Sequence, residues 1–532
     1  MADPKQKAQA TPAKLKFKLG SEVTNHVRIF LKKQGWVEYK PEDFNEDDVK
    51  GCNGPWSLIW QDKLHSDKAH KQARDDQRLN HFQGTKGIAR KDSLAANYNS
   101  FVRQFGVDVF DFCPRTFILT REQDAFEEYA KTQKETKEDE DNIYIYKPSA
   151  SARGKGIYVF NNVAEFLENY KAPCIVSQYL AKPMLVCGFK SDLRLYVAIS
   201  SFWPLRCYVY RQGLVRFSTQ KYDNSDLTNK FCHLTNSSIN KHAAPQVRTA
   251  EEKAVLDDGA KWSLGQLFEH LSKQGVNTDL VWEQIKKLIL LTLLMLVGDV
   301  PADNHCYEVF GFDVMMTSDH KPWLVEVNRS PAMAVGCSAD RIAKTPMLTD
   351  LLTLFGLNTD NIQGKQPDRI QDRQEGDFDR LWPLTADDEK ANEILRACPF
   401  SPAEVTDVRG PAGRSRISMA DIREQRRASM RAADSARAQA EAAGQNAAEA
   451  AIAAAAAAAA ATSAFEEKKQ EAEEQPDIPE VVHTLNNNLA PRAKGPKEIS
   501  VVKAAVAQFR KAVVASVVKR QATWPKQTHT SK

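Results

Sequence analysis

Residues 308–331 read Glu-Val-Phe-Gly-Phe-Asp-Val-Met-Met-Thr-Ser-Asp-His-Lys-Pro-Trp-Leu-Val-Glu-Val-Asn-Arg-Ser-Pro, two β-like runs, Glu308–Met315 and Pro322–Asn328, around a polar turn. Side chains alternate along a strand, so Glu326 and Asn328 fall on one face and Val325 and Val327 on the other. Asp313, on the neighbouring run, adds a third oxygen donor. Hard oxygen donors of this kind suit Mg2+. Carboxylates flanked by apolar strand residues are costly to bury without a cation. The blander reading makes Asn328 a cap for the turn before Pro331.

The same pattern recurs upstream. Strand-like runs at Arg115–Leu119, Ile143–Lys147, Gly156–Phe160, Cys174–Leu180, Asp192–Ser200 and Arg206–Arg211 are separated by helical stretches at Arg121–Lys137 and Val163–Tyr170. A helical block then runs from about Trp262 to Val297. This alternation places the chain in the α/β or α+β class. The longest apolar run, Leu288–Val297, is far shorter than the ~20 residues of a membrane span and reads as a buried helix.

Two further stretches carry chemistry. In Gly188-Phe-Lys190-Ser-Asp192-Leu-Arg194-Leu-Tyr196, period two puts Lys190, Asp192 and Arg194 on one face and Leu193, Leu195 and Val197 on the other. A charged floor backed by an apolar stripe predicts a site on a central strand; an edge-strand ion-pair ladder is the alternative. In Lys147-Pro-Ser-Ala-Ser-Ala-Arg153-Gly154-Lys155-Gly156, a loop joins two β-like runs. Its glycines allow backbone N–H groups close to phosphate oxygens, and Lys147, Arg153 and Lys155 supply charge. The spacing matches neither a P-loop nor a dinucleotide fingerprint, and a plain basic turn would also fit. Arg216 and His233-Leu-Thr235-Asn236 are weaker signals, by default a solvent-facing arginine and a polar loop.

The chain's 532 residues suffice for two to four domains and exclude a small disulfide scaffold. Nine scattered cysteines without a C-x-x-C pair predict a reduced, intracellular protein. The first residues are polar, so no secretory signal is expected. Residues 1–19 predict a disordered leader and 20–114 a small α/β module. The composition shifts after Leu357: 358–417 reads as a linker and 418–472 as an Ala-rich helix or low-complexity spacer, with an unbroken alanine run at 453–461. Residues 473–532 read as a basic tail. The net charge of +4 hides an asymmetry, because residues 490–532 hold ten Lys/Arg and one acidic residue, Glu498, leaving the preceding residues at −5. Within the tail, Ile499–Gln521 predicts a basic amphipathic helix suited to an acidic partner or an anionic surface. No nucleic acid is expected as a partner.

Taken in order, Asn80-His-Phe, Thr85-Lys-Gly-Ile-Ala-Arg-Lys-Asp92, the Lys147-to-Ile157 loop, Gln178-Tyr-Leu with Pro183, Phe189-Lys-Ser-Asp-Leu-Arg194, His233-Leu-Thr-Asn236, Gly311-Phe-Asp313 and Trp323-Leu-Val-Glu-Val-Asn328 resemble the tubulin–tyrosine ligase-like family of amino-acid ligases. The resemblance runs from about Asn80 to Leu354. It implies an ATP-grasp fold, with a central domain at 115–200, a C-terminal domain at 201–357, and nucleotide and metal between them.

It also implies roles. Lys147 and Arg153, Gly154, Lys155 and Gly156 would bind the ATP phosphates. Gln178, Tyr179, Leu180 and Ala181 would bind adenine through the backbone, with Lys190 and Asp192 at adenine and ribose and Thr235 and Asn236 near the nucleotide. Arg194 would face the γ-phosphate and, with Lys147, act in catalysis. Asp313, Glu326 and Asn328 would hold Mg2+. Arg216, Ser238 and Lys261 would hold the incoming amino acid. ATP would convert an acceptor carboxylate to an acyl phosphate that the amine of the amino acid attacks.

The spacing is most similar to the polyglutamylase branch, implying glutamate added to acidic tubulin tails in the cytoplasm and cytoskeleton, at a cilium, flagellum or basal body. Arg216 and Lys261 suit the second carboxylate of glutamate, which glycine lacks. Arg153 and Arg329 would contact an acidic acceptor and favour chain initiation. A glycylase, a catalytically silent microtubule-binding protein and membrane docking through the tail are the competing readings.

Overall fold

The computed structural model describes residues 15–39, 54, 56–107, 109–119, 121–136, 142–149, 151, 154–170, 173–202, 205–240, 242–243, 249–297, 299–357 and 376–382. Arg153, most of the expected linker, the Ala-rich segment and the basic tail lie outside the described residues. The chain divides into two compact units, residues 1–101, 111–383 and 400–405, and residues 102–110, 384–399 and 406–532. Of the second, the described residues are 102–107 and 109–110, which include the last turn of helix Lys91–Phe105.

All fifteen described strands belong to the first unit: β1 Lys16–Leu19, β2 Val37–Glu38, β3 Leu58–Trp60, β4 Arg78–Asn80, β5 Thr116–Ile118, β6 Tyr144–Pro148, β7 Tyr158–Phe160, β8 Cys174–Gln178, β9 Leu185–Val186, β10 Phe189–Phe202, β11 Leu205–Phe217, β12 Lys261–Ser263, β13 Cys306–Met316, β14 Pro322–Asn328 and β15 Phe378–Trp382. Eleven form one sheet in the order β12-β11-β10-β13-β4-β3-β1-β2, with β14 on β13, β15 on β11 and β9 on β10. The other four form a smaller sheet, β5-β8-β6-β7. Strands β1 to β4 pair parallel, β4 pairs parallel with β13, and β10 through β14 pair antiparallel. The mixed α/β class expected from the sequence is what forms.

The sheet does not stop at the boundaries expected at 114 and 200. β4 lies against β13, and β10 runs through residue 200 before turning into β11. The reason is burial: β10 is covered on both faces along most of its fourteen residues, so alternation fades before the strand ends. Part of the expected leader is also structured. Phe17 of β1 is fully buried and its strand pairs with both β2 and β3. Residues 378–382, inside the expected linker, form β15 against β11. The helical block divides into β12 and helices Leu264–Lys273 and Thr278–Leu294. Gly275, at φ +82, makes the break, and Asn277 accepts from the Leu280 N–H to cap the next helix.

Helix Ser338–Leu354 covers one face of the large sheet. Its Ala343, Met347, Leu348 and Leu351 belong to a core with Phe17, Leu58, Tyr196, Tyr208 and Tyr307. The small sheet has its own core, in which Phe160 and Phe166 stack at 4.1 Å and Phe126 meets Tyr144 edge-on. Leu288–Val297 is buried throughout, as expected, and no described helix is long and apolar enough to cross a membrane.

Candidate functional site

Antiparallel register converts the sequence spacing into a patterned floor. Asp192 lies opposite Arg216, Arg194 opposite Asp313, and Asp313 opposite Glu326, so β11, β10 and β13 carry opposite charges in facing pairs and two carboxylates meet across β13 and β14. Directly opposed residues share a face. The central-strand reading of Lys190, Asp192 and Arg194 therefore holds, since β10 is flanked by β11 and β13.

Asp313 is the hub. Arg194 donates to it from Nε at 2.6 Å and from Nη2 at 3.0 Å, and Arg216 Nη2 lies 2.9 Å away. Arg216 also pairs with Asp192, its Nε 2.9 Å from Oδ1 and its Nη2 in contact with Oδ2. Burial alone would raise the Asp313 carboxyl, but the two guanidiniums hold it well below the usual range. Glu326 goes the other way: burial, then the Asp313 charge, raises it.

Asn328 Nδ2 lies 3.3 Å from Asp313 Oδ2 and 3.2 Å from Glu326 Oε1. The amide thus sits between two carboxylates, and exchanging its O and N, an assignment set by the hydrogen-bond network, turns a third oxygen toward them. This donor set fits a hard divalent cation, and the raised Glu326 carboxyl reflects the same crowding of negative charge.

A cavity of about 90 Å³ opens above this floor. Its walls include Lys147, Gly154, Gln178, Tyr179, Leu180, Lys190, Asp192, Arg216, Thr235, Asn236, Asp313 and Glu326, most of the residues expected to bind ATP. Gly154 and Gly156 take φ of +77 and +73, which glycine adopts without strain. Burial pushes the Lys147 amine down to about 8, and the Lys190 amine down to about 7 despite the Asp192 carboxylate.

Lys190 has an unexpected partner. Its Nζ donates to Tyr179 Oη at 2.7 Å and stands 4.3 Å from the centre of that ring. Tyr179 Oη lies 2.9 Å from His233 Nδ1, and His233 Nε2 is 2.9 Å from the Asp226 carbonyl. A carbonyl can only accept, so Nε2 of the imidazole carries a proton, and a neutral ring leaves Nδ1 as an acceptor toward the tyrosine. Burial, the largest cause, lowers its pKa in the same sense.

Other expected residues stand apart. Lys155 is exposed, and neither it nor Gly156 lines this cavity. Ala181 lies outside the lining, and its carbonyl accepts from Tyr222 Oη and Asn224 Nδ2. Ser238 sits in the short helix Ser237–Asn240, away from the lining. Lys261 is opposite Arg216 in register, but its Nζ pairs with Asp340 at 2.9 Å. Both cations expected to hold a second substrate carboxylate are therefore already paired with buried carboxylates.

A second and larger cavity, about 470 Å³, adjoins the first and shares Lys91, Pro114, Lys147, Ser177, Val325 and Glu326 with it. Lys86, Arg90, Asp62, Asn328 and Arg329 also line it. Lys91 lies within the Thr85–Asp92 segment of the resemblance, but no role is assigned to it from the sequence. Away from the cleft, His70 Nδ1 lies 2.8 Å from Asp303 Oδ2 and 3.3 Å from Cys306 Sγ. His70 Nε2 is buried and has no hydrogen-bond partner among the described residues, so an ion on Nδ1 would leave the opposite N–H without an acceptor. The trio is a hydrogen-bonded knot.

The family model described as tubulin-tyrosine ligase family matches residues 68–365. Human probable tubulin polyglutamylase TTLL2 (Homo sapiens) is 34% identical over 352 residues, covering 66% of this chain and 57% of that protein. Its mouse counterpart (Mus musculus) is 34% identical over 351 residues, covering 66% of this chain and 63% of that protein. Human tubulin monoglutamylase TTLL4 is 38% identical over 321 residues, covering 58% of this chain and 26% of that protein. The chain thus spans less than two thirds of the length of these relatives. A family match over more than half of the chain, on the strands and loops that build the cleft, makes this protein a member of the tubulin-tyrosine ligase family.

Proposed function

We propose that this chain is an ATP- and Mg2+-dependent ligase that joins the amine of glutamate to glutamate side chains in acidic tubulin tails. The observation that carries the proposal is Asp313 and Glu326, bonded to Arg194 and Asn328, at the floor of a cavity walled by Lys147 and Lys190. Cations and a hard-donor set converging on one cleft suit phosphoryl transfer, which depends on positioning and charge neutralisation more than on a protein nucleophile. An acceptor carboxylate oxygen would attack the γ-phosphorus as the bond to ADP breaks. The amine would then attack the carbonyl carbon, phosphate would leave, and the amine would release its proton.

In this reading Asp313, Glu326 and Asn328 hold Mg2+, which supplies charge neutralisation on the transferring phosphoryl group. Lys147 and the Gly154 backbone face the phosphates, and Arg153, next to Gly154 in the sequence, would join them. The Tyr179–Leu180 segment, Lys190 and Asp192 hold the base and ribose, with Thr235 and Asn236 beside them. Arg194 reaches the γ-phosphate by exchanging one of its two contacts with Asp313. Arg216 is retained for the incoming amino acid, by exchange of Asp192. Lys261 and Ser238 would act from outside the lining, and so contribute less to the choice of glutamate. That choice is supported by the glutamylase names of the relatives.

Tubulin in the cytoplasm and cytoskeleton, including a cilium, flagellum or basal body, is the proposed setting. Incubating the full chain with tubulin, ATP, Mg2+ and labelled glutamate or glycine, followed by mass spectrometry of the tails, tests the reading. Glutamate added to the tails is the expected result. Glycine alone would make the protein a glycylase, and no incorporation would make it a silent microtubule binder.

A further inference from the structure

Among the described cations lining either cavity, Lys91 and Lys147 alone line both. The remainder divide by location and by partner. Arg216 is tied to Asp192 and Asp313, and Lys190 to Tyr179, on the side of the smaller cavity. Arg90 pairs with Asp92 through two hydrogen bonds on the other side. Lys147 is the penultimate residue of β6 and faces the phosphates in the ligase reading. Lys91 stands at the junction itself, its Nζ 3.8 Å from Glu326 Oε2 and 2.8 Å from the Ser151 carbonyl.

An ammonium has three donors. The Ser151 carbonyl takes one, and 3.8 Å to Glu326 is an electrostatic contact rather than a hydrogen bond. The side chain is only 16% exposed, so water screens its charge weakly. A carboxylate that is to meet a phosphate here must approach Glu326, a like charge, and a cation at the junction lowers that repulsion. Lys91 is that cation, and Lys86, Arg90 and Arg329 on the larger cavity's wall favour an acidic peptide as the body that carries the carboxylate.

We propose that Lys91 binds the acceptor carboxylate where the two cavities meet and holds it against the nucleotide. The proposal rests on the ligase reading and adds the group that fixes the acceptor. The competing role is structural: through Ser151, Lys91 would merely brace the phosphate loop.

Lys91→Met and Lys91→Arg variants of the full chain separate the two. A charge-assisted hydrogen bond is worth enough that Lys91→Met should raise the KM for tubulin about tenfold or more. The KM for ATP, the affinity for a fluorescent ADP analogue and Tm should stay near wild type, with Lys91→Arg recovering part of the loss. An unchanged tubulin KM, or nucleotide affinity falling as far as acceptor affinity, overturns the proposal. If the wild-type chain ligates no amino acid, the ligase reading fails by itself. Fluorescence anisotropy of a labelled glutamate-rich peptide then decides Lys91, since equal binding by wild type and Lys91→Met overturns its acceptor role and weaker binding by the variant supports it.

Discussion

Arg194 and Asp313 face each other across β10 and β13 and share two hydrogen bonds, Nε to Oδ1 at 2.6 Å and Nη2 to Oδ2 at 3.0 Å. Asp313 is buried and the Arg194 side chain is 11% exposed, and Arg216 leans on the same carboxylate. Removing one partner of a buried pair leaves the other charge without compensation, at a cost of about 3–5 kcal/mol. Asp313→Asn should therefore lower stability by an amount in that range, read by urea unfolding, and should also weaken Mg2+-dependent nucleotide binding. Unfolding at the wild-type midpoint would show that Arg216 and Arg194 find other partners.

Gly311 precedes Asp313 by two residues and lies in the middle of β13, where glycine weakens a strand. Its presence is explained by Pro331 and the arginine together: a Cβ there would lie 2.8 Å from Pro331 Cβ and 3.1 Å from Arg194 Cδ. Gly311→Ala should push Arg194 off Asp313, destabilise by about 1–3 kcal/mol through overpacking, and lower kcat more than it raises the KM for tubulin. A variant with wild-type kcat would mean that Arg194 can shift without loss.

The floor of the site was legible because period two is strong when one face is charged. Glu326, Asn328, Lys190, Asp192 and Arg194 were read from alternation and Asp313 from its place on the neighbouring run, and register then set Asp313 opposite Arg194 and Glu326. What alternation could not show is which charges neutralise one another. Arg216 and Lys261 look like open substrate contacts in the sequence, yet cross-strand and helix partners far away in the chain, Asp192, Asp313 and Asp340, already meet them. Lys91 was missed for a related reason: it lies on a helix more than 200 residues before Glu326, and no local period links them. The strand β1 and the strand β15 were missed because four or five residues carry too little pattern to stand out from polar neighbours.

The tail of residues 490–532, with ten Lys/Arg and one acidic residue, yields a prediction that depends only on charge. Exposed charges are screened over roughly 8–10 Å at moderate salt. Microtubule co-sedimentation of the full chain should weaken as salt rises, and deletion of residues 490–532 should remove most of that dependence at low salt. Equal affinity with and without the tail would assign it another purpose, and liposomes containing anionic lipid would then test a membrane role.

Nucleotide binding should take up protons at alkaline pH. Burial places the Lys190 amine at about 7 and the Lys147 amine at about 8, so at pH 8 both are partly or largely neutral in the free protein. A triphosphate brings negative charge to the same cleft and favours the charged ammonium forms, which raises both values. The sign follows: the complex binds more protons than the free protein above about pH 7, and affinity falls as pH rises through that range. Well below pH 7 both amines are protonated in either state, and the effect disappears. Titration calorimetry with ADP at pH 8 in HEPES and in Tris reads the uptake as a difference in apparent enthalpy between the two buffers. Lys190→Met should reduce that difference. Identical enthalpies for the wild-type chain in both buffers would mean that the two lysines keep their charge states when nucleotide binds.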